Sequence, residues 1–118
     1  MRRVEKPWGY ELIFAHTDRY VGKILHIVAG QALSLQYHNV KDETLCILSG
    51  EMKLEHGAQV ENLSTTTMHT HDTFHVTPKL IHRMTAVTDV DVAEVSTPEL
   101  DDVVRLQDRY GREGTSKA

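Results

Sequence analysis

Apolar and polar residues alternate in short runs along nearly the whole chain. The runs are YELIF at 10–14, VGKILHIV at 21–28, LSLQYH at 33–38, ETLCIL at 43–48, EMKLEH at 51–56, TFHVT at 73–77, HRMTAV at 82–87 and DVAEV at 91–95. A period of two turns successive side chains to opposite faces, so each run predicts a strand. Turn-forming residues punctuate them, Gly30, Gly50, Gly57, Asp72 and Pro78 among them. Many short strands at this spacing predict an all-β sandwich or barrel. From about Pro98 the pattern changes: ELDDVVRLQDRYGREG predicts a short helix or an extended tail, its end loosened by Gly111 and Gly114.

The same alternation assigns faces. Ser34, Gln36 and His38 share one side of their strand, with Leu33, Leu35 and Tyr37 on the other. Glu43 points with Leu45 and Ile47, Phe74 with Val76 and Pro78, His82 with Met84, and Glu94 with Val90 and Val92. A barrel that is apolar through most of its interior and polar at one patch accounts for this mixture. An ordinary core would not hold Gln, His and Glu unpaired.

Length and composition narrow the picture. A chain of 118 residues is one domain with one hydrophobic core, here residues 1–118. Hydrophobic residues at 40% and charged residues at 25% mark a folded chain. A net charge of -4 with mixed signs excludes a general nucleic-acid binder, which needs a basic patch. No apolar run reaches the length of a membrane span, and no apolar stretch follows the N-terminal arginines as in a signal peptide. Cys46 is the one cysteine, so no intrachain disulfide is expected, and it reads as a small buried strand residue. These features predict a cytoplasmic protein.

Candidate chemistry centres on four residues. Gln36 and His38 are two apart and project the same way from a strand; the turn-like stretch 39–42 brings Glu43 back beside them. His82 lies far along the chain, just after Pro78. Two imidazoles, a carboxylate and an amide oxygen make a mixed N/O set suited to a divalent cation, which would relieve the burial of Glu43. Gln36 is either a ligand or a hydrogen-bonding neighbour that orients a histidine. His69 and His71 repeat the two-residue spacing but fall beside a turn and the exposed-looking threonines at 65–67, so they read as surface residues. His26, His56 and His75 have no motif partner and read as structural or solvent-facing. Glu94 is either a satisfied structural carboxylate or a general base. Lys23, Lys41, Arg83 and Arg109 are the cations considered for a phosphate, and Trp8 is read as a packing anchor.

The stretch from Gly30 through Gln36-Tyr37-His38 and Glu43 to Gly50 resembles the first cupin motif, and His71-Asp72-Thr73-Phe74-His75-Val76-Thr77-Pro78 followed by His82 resembles the second. PWGYE near the start, LSLQYH in the middle and DRYGR near the end resemble the cupin domain of type II mannose-6-phosphate isomerases, over a core from about Glu5 to Arg112. That subfamily commonly carries glutamine at the position of Gln36. The resemblance implies a jelly-roll barrel (double-stranded β-helix) and a divalent metal on Gln36, His38, Glu43 and His82. Zinc, manganese, iron, cobalt and nickel all suit such ligands. It further implies aldose–ketose isomerisation of a small phosphorylated sugar, with Glu43 or Glu94 carrying the proton, and a homodimer. Two rival readings are a non-catalytic metal- or carbohydrate-binding cupin and an iron-dependent oxygenase. The chain departs from the family at Asn39-Val40-Lys41, where histidines are usual, at His71, where glycine is usual, and at Pro78-Lys79-Leu80, which replaces a Pro-x-Gly turn. The guanylyltransferase domain that often precedes such cupins has no counterpart in this sequence.

Overall fold

Each of the eight alternating runs forms a strand in a computed structural model, which describes residues 1–115, and four further strands bring the described total to twelve. The twelve are β1 (Arg2–Lys6), β2 (Gly9–His16), β3 (Val21–Ile27), β4 (Leu35–Tyr37), β5 (Glu43–Ser49), β6 (Met52–Gly57), β7 (Ser64–Met68), β8 (Thr73–Val76), β9 (Ile81–Ala86), β10 (Val90–Ser96), β11 (Val104–Gln107) and β12 (Gly114–Thr115). Two six-stranded antiparallel sheets result, ordered β1-β2-β3-β10-β5-β8 and β12-β11-β4-β9-β6-β7. After β3 the chain shuttles between them, which produces the jelly roll. Among the described residues no helix is long and apolar enough to cross a membrane.

The stretch after Pro98 is neither helix nor free tail. Its residues 104–107 form β11, which pairs with β4 and sets Arg105 opposite Gln36. Residues 116–118 of the expected tail lie outside the described residues.

Inward positions are graded along each strand. On β3 they run Lys23, Leu25, Ile27; on β5 Glu43, Leu45, Ile47; on β10 Glu94, Val92, Val90; on β9 His82, Met84, Ala86, and all twelve are buried. The antiparallel register sets Lys23 opposite Glu94 and Ile27 opposite Val90, so the polar ends gather at one end of the barrel and the apolar ends at the other. The apolar end is a continuous core of Leu25, Ile27, Leu45, Ile47, Met52, Leu54, Met84, Val90 and Val92. Each fully buried aliphatic side chain there contributes roughly 1.5–3 kcal/mol, and this half supports the cost of the charged half.

Two glycines fit specific steric needs. Gly50, in the turn between β5 and β6, has φ +89°, and an added Cβ would lie 2.2 Å from the Asp89 carbonyl oxygen. At Gly9 an added Cβ would lie 1.9 Å from the His26 carbonyl oxygen, so only glycine lets β2 start this close to β3. The neighbouring Trp8 is 3% exposed and its carbonyl accepts from the Val28 N–H, an anchoring role. Cys46 differs from expectation: it lies half-buried on the outer side of β5, out of phase with Leu45 and Ile47. Pro78 lies beyond the end of β8 and is exposed, whereas Phe74 and Val76 do share the inward face.

Candidate metal centre

His38, Glu43 and His82 come together at the polar end of the barrel, with ligand atoms all within 4.8 Å of one another and every one of the three residues buried. His38 follows β4, Glu43 opens β5 and His82 is the second residue of β9, so three short strands fix the group. The hydrogen bonds decide the tautomers. His38 Nδ1 lies 2.6 Å from the Asp102 carbonyl oxygen and His82 Nδ1 lies 2.9 Å from the Leu80 carbonyl oxygen. A carbonyl only accepts, so both Nδ1 atoms donate, and in a neutral ring each Nε2 presents a bare lone pair. Those Nε2 atoms face the same carboxylate oxygen, Glu43 Oε1, at 3.1 and 3.3 Å. His82 Nε2 and Glu43 Oε2 are buried without a hydrogen-bond partner.

Acceptors converging on acceptors in a dry interior are costly unless a cation sits among them. Histidines held by Nδ1 donation to a carbonyl are the usual arrangement of imidazole ligands. The three residues therefore fit a divalent metal, and His38, Glu43 and His82 are those that would hold it. Gln36 sits beside them, opposite His82 across β4 and β9, but its Oε1 accepts from the Ser34 hydroxyl at 2.7 Å.

A row of buried charges runs on from this group. Lys41 Nζ lies 3.4 Å from Glu43 Oε2 and 3.2 Å from Glu94 Oε2; Lys23 Nζ lies 3.8 Å from the same Glu94 oxygen and 3.2 Å from Glu11 Oε2. Burial works against the charge on Lys41, but Glu94 and Glu43 outweigh it and hold the ammonium pKa above the usual lysine value. Burial also works against the charge on Glu43, and here the Lys41 ammonium, the foremost opposing group, holds the carboxylate well below its ordinary pKa. Glu94 goes the other way: burial first, then the neighbouring Glu43, push its pKa up. Two adjacent carboxylates whose pKa values are driven apart form the usual division between a fixed anion and a proton carrier.

Glu94, Lys23 and Lys41 line a small cavity of about 40 Å³ that opens to solvent, together with Gln36, His38 and Trp8. Arg83 and Arg109 are elsewhere: Arg83 Nε and Nη2 donate to the Glu55 carboxylate at 2.8 and 3.1 Å, and Arg109 Nη1 donates to the Gly30 carbonyl. Neither lines the cavity. In their place stand Lys6, Arg105 and Arg112, which sequence reasoning did not single out. Arg112 is the second arginine of DRYGR, which is the signal the sequence carries for it; Arg105 needs the strand assignment of β11. Glu11, inside the PWGYE segment, was missed in the same way.

The remaining histidines are outside this group. His69 is 62% exposed, and His71 is exposed in a turn at φ +74°. His26 stacks on Tyr10 with ring centroids 4.9 Å apart and hydrogen-bonds Asp91, His56 hydrogen-bonds Thr66, and His75 hydrogen-bonds Asp42.

A family model described as the C-terminal part of mannose-6-phosphate isomerase matches residues 1–108. Mannose-1-phosphate guanylyltransferase of Escherichia coli (strain K12) is 32% identical over 117 residues, covering 94% of this chain and 23% of that protein. The chain thus spans about a quarter of the length of that relative. Among solved structures, KdgF from Halomonas sp. superposes with a TM-score of 0.70 at 16% identity, covering 83% of this chain and 88% of that one. A cupin superfamily protein from Desulfitobacterium hafniense DCB-2 gives 0.64 at 17% identity and 74% coverage of each chain. At these identities the two structures speak for the fold alone. The match over residues 1–108 goes further, and the chain belongs to the mannose-6-phosphate isomerase C-terminal family, on a cupin fold.

Proposed function

We propose that the protein is a metal-dependent isomerase that interconverts an aldose phosphate and a ketose phosphate of the mannose-6-phosphate type. The observation that carries this reading is the buried His38–Glu43–His82 group set directly beside a cavity lined by Glu94 and His38, which makes neighbours of two carboxylates with opposed proton affinities, Glu43 low and Glu94 high. A divalent metal on His38, Glu43 and His82 supplies Lewis-acid polarisation of a carbonyl and its neighbouring hydroxyl. Zinc, manganese, iron, cobalt and nickel all suit these ligands.

The chain's own residues do the rest. Glu94, with its raised pKa, takes the proton from C2 of the bound aldose and returns it to C1, while the proton of the C2 hydroxyl passes to the C1 oxygen. Lys41 and Lys23, at 3.2 and 3.8 Å from Glu94 Oε2, orient that carboxylate and offset the negative charge that grows on the sugar oxygens. Trp8, Leu25, Leu33 and Val103 give the cavity apolar walls that keep bulk water away. Family resemblance also supports a cytoplasmic setting and a homodimer. The exposed apolar side chains Phe14, Leu48 and Val95 are the surface that such pairing would cover.

A rival reading, a cupin that binds metal and sugar without turnover, draws on one fact. Glu94 is already held between two ammonium groups, as a purely structural carboxylate would be. Turnover separates the two. Aliquots loaded with each metal are assayed for interconversion of mannose-6-phosphate and fructose-6-phosphate. The isomerase reading expects activity that Glu94→Gln lowers about 10²–10⁴-fold with metal content unchanged. Inactivity with every metal would overturn the isomerase, and full activity of Glu94→Gln would overturn the base assignment.

A further inference from the structure

Arg105 is the anomaly of the cavity. It is 7% exposed, its Nε has no hydrogen-bond partner, and among the described residues no carboxylate lies in ion-pair contact with it. Cross-strand partners share a face, so Arg105 enters the cavity beside its partner Gln36, and Gln36 in turn sits beside its partner His82. Lys6 and Arg112 line the same cavity. The nearby carboxylates are already committed: Glu11 to Lys23 at 3.2 Å, and Asp108 to Arg112 through contacts of 2.9 and 3.2 Å. Lys6 forms no ion pair among the described residues. A buried guanidinium whose Nε has no protein partner, next to a second guanidinium and an ammonium, is unfavourable on its own and becomes favourable beside an anion.

We infer that Arg105, with Lys6 and Arg112, is an anion seat that takes the phosphoryl group of the substrate. This rests on the cavity being the sugar-phosphate site proposed above, and it fixes which way round the substrate lies. Adjacent strands are about 4.8 Å apart, so Arg105 stands roughly 10 Å along the row from His82. A six-carbon chain ending in a phosphate ester bridges that span, with C1 and C2 at the His82 end and the ester at Arg105. A phosphoryl group fits better than a carboxylate. One guanidinium suffices for a carboxylate, whereas the two unpaired cations Arg105 and Lys6, with the Asp108-bound Arg112 beside them, match a tetrahedral group of charge near −2.

The test is calorimetric titration of inorganic phosphate into the full chain, metal-loaded and chelator-treated, for the wild type and Arg105→Gln, with sodium acetate in a parallel arm. Expected is phosphate binding that survives chelation, is about ten- to a hundredfold weaker in Arg105→Gln, and exceeds acetate binding. Equal binding by wild type and variant overturns the seat, and so does binding that chelation abolishes, which would place the anion at the metal. Acetate binding as tight as phosphate overturns the phosphoryl assignment. If circular dichroism shows Arg105→Gln unfolded, Lys6→Met replaces it, with weaker phosphate binding expected and unchanged binding contrary. The isomerase reading fails separately. A chain that binds phosphate through Arg105 yet isomerises no sugar phosphate keeps the seat and loses the enzyme, while turnover with an unchanged KM in Arg105→Gln does the reverse.

Discussion

At the scale of single residues, the centre is defined by what its histidines cannot do. With Nδ1 already spent on a backbone carbonyl, His82 has only its Nε2 lone pair to offer, and that atom is buried beside Glu43 without a hydrogen bond. His82→Ala is expected to reduce bound metal from stoichiometric to trace in elemental analysis of the purified protein. In the wild type, chelation is expected to lower Tm and metal addition to restore it, because a ligand that binds only the folded state stabilises it; the variant's Tm should ignore both. Metal retained in full by His82→Ala would remove this residue from the ligand set. His71 illustrates a different cost. The glycine usual at this position would adopt φ +74° freely, but a Cβ crowds the left-handed backbone. His71→Gly keeps the backbone hydrogen bond from residue 71 to the Ile47 carbonyl at 2.7 Å and should stabilise the fold by about 0.5–1 kcal/mol in urea denaturation. A loss of stability would show that the histidine side chain contributes something beyond its geometry.

At the scale of elements, the link between β10 and β11 acts as a strap on the centre. Asp102 supplies the carbonyl that holds His38, while its carboxylate accepts from the backbone N–H groups of Asn39, Val40 and Lys41 at 2.9, 2.7 and 2.9 Å. Burial opposes the charge, but those three donors together bring the Asp102 pKa down to about 2. The folded value lies below the ordinary aspartate value of 3.8, so the native chain binds this proton less readily than the unfolded one. The stability it contributes is therefore present above that ordinary value and fades as pH falls towards 2. Thermal melts of the chelated protein should show Asp102→Asn less stable at pH 6, with the gap to wild type narrowing as pH drops from 4 towards 2. A gap that stays constant with pH would mean that the carboxylate charge plays no part. The strap was not legible in the sequence, because the stretch 99–110 carries apolar residues at spacings that suit a helix or a strand equally. Only pairing with β4 decides, and that contact spans some seventy residues. Runs such as ETLCIL and VGKILHIV were legible because both their alternation and their β-branched content favour strands. His38, Glu43 and His82 were legible for the same reason: strand phase fixes where each points. Lys23 and Lys41 drew attention only as generic cations, since nothing local shows that a lysine will be buried against two glutamates. Arg105 was invisible until β11 existed.

At the scale of the whole molecule, the barrel divides into an apolar half that holds it together and a charged half that carries the candidate metal centre and its cavity. The outer surface of the first sheet does not follow the polar-out rule for a solvated antiparallel sheet. The register aligns Leu12, Ile24, Ala93 and Cys46 across β2, β3, β10 and β5, and Val95 lies 54%, Phe14 50% and Leu48 43% exposed around that row. Phe14 folds across Gly22, whose missing side chain makes room for the ring: an added Cβ would lie 2.7 Å from it. A sheet face built this way is suited to meeting its own copy about a two-fold axis, where one apolar row lies against another. Light scattering coupled to size-exclusion chromatography should then give twice the mass of one chain at micromolar concentration. Val95→Lys with Leu48→Lys should yield monomers, since two like charges per copy would be brought together in the buried patch. Both substitutions point away from the cavity, so metal content should be unchanged in the monomer. A wild type that elutes as a monomer, or a doubly substituted chain that still pairs, would leave this face without a partner of its own kind.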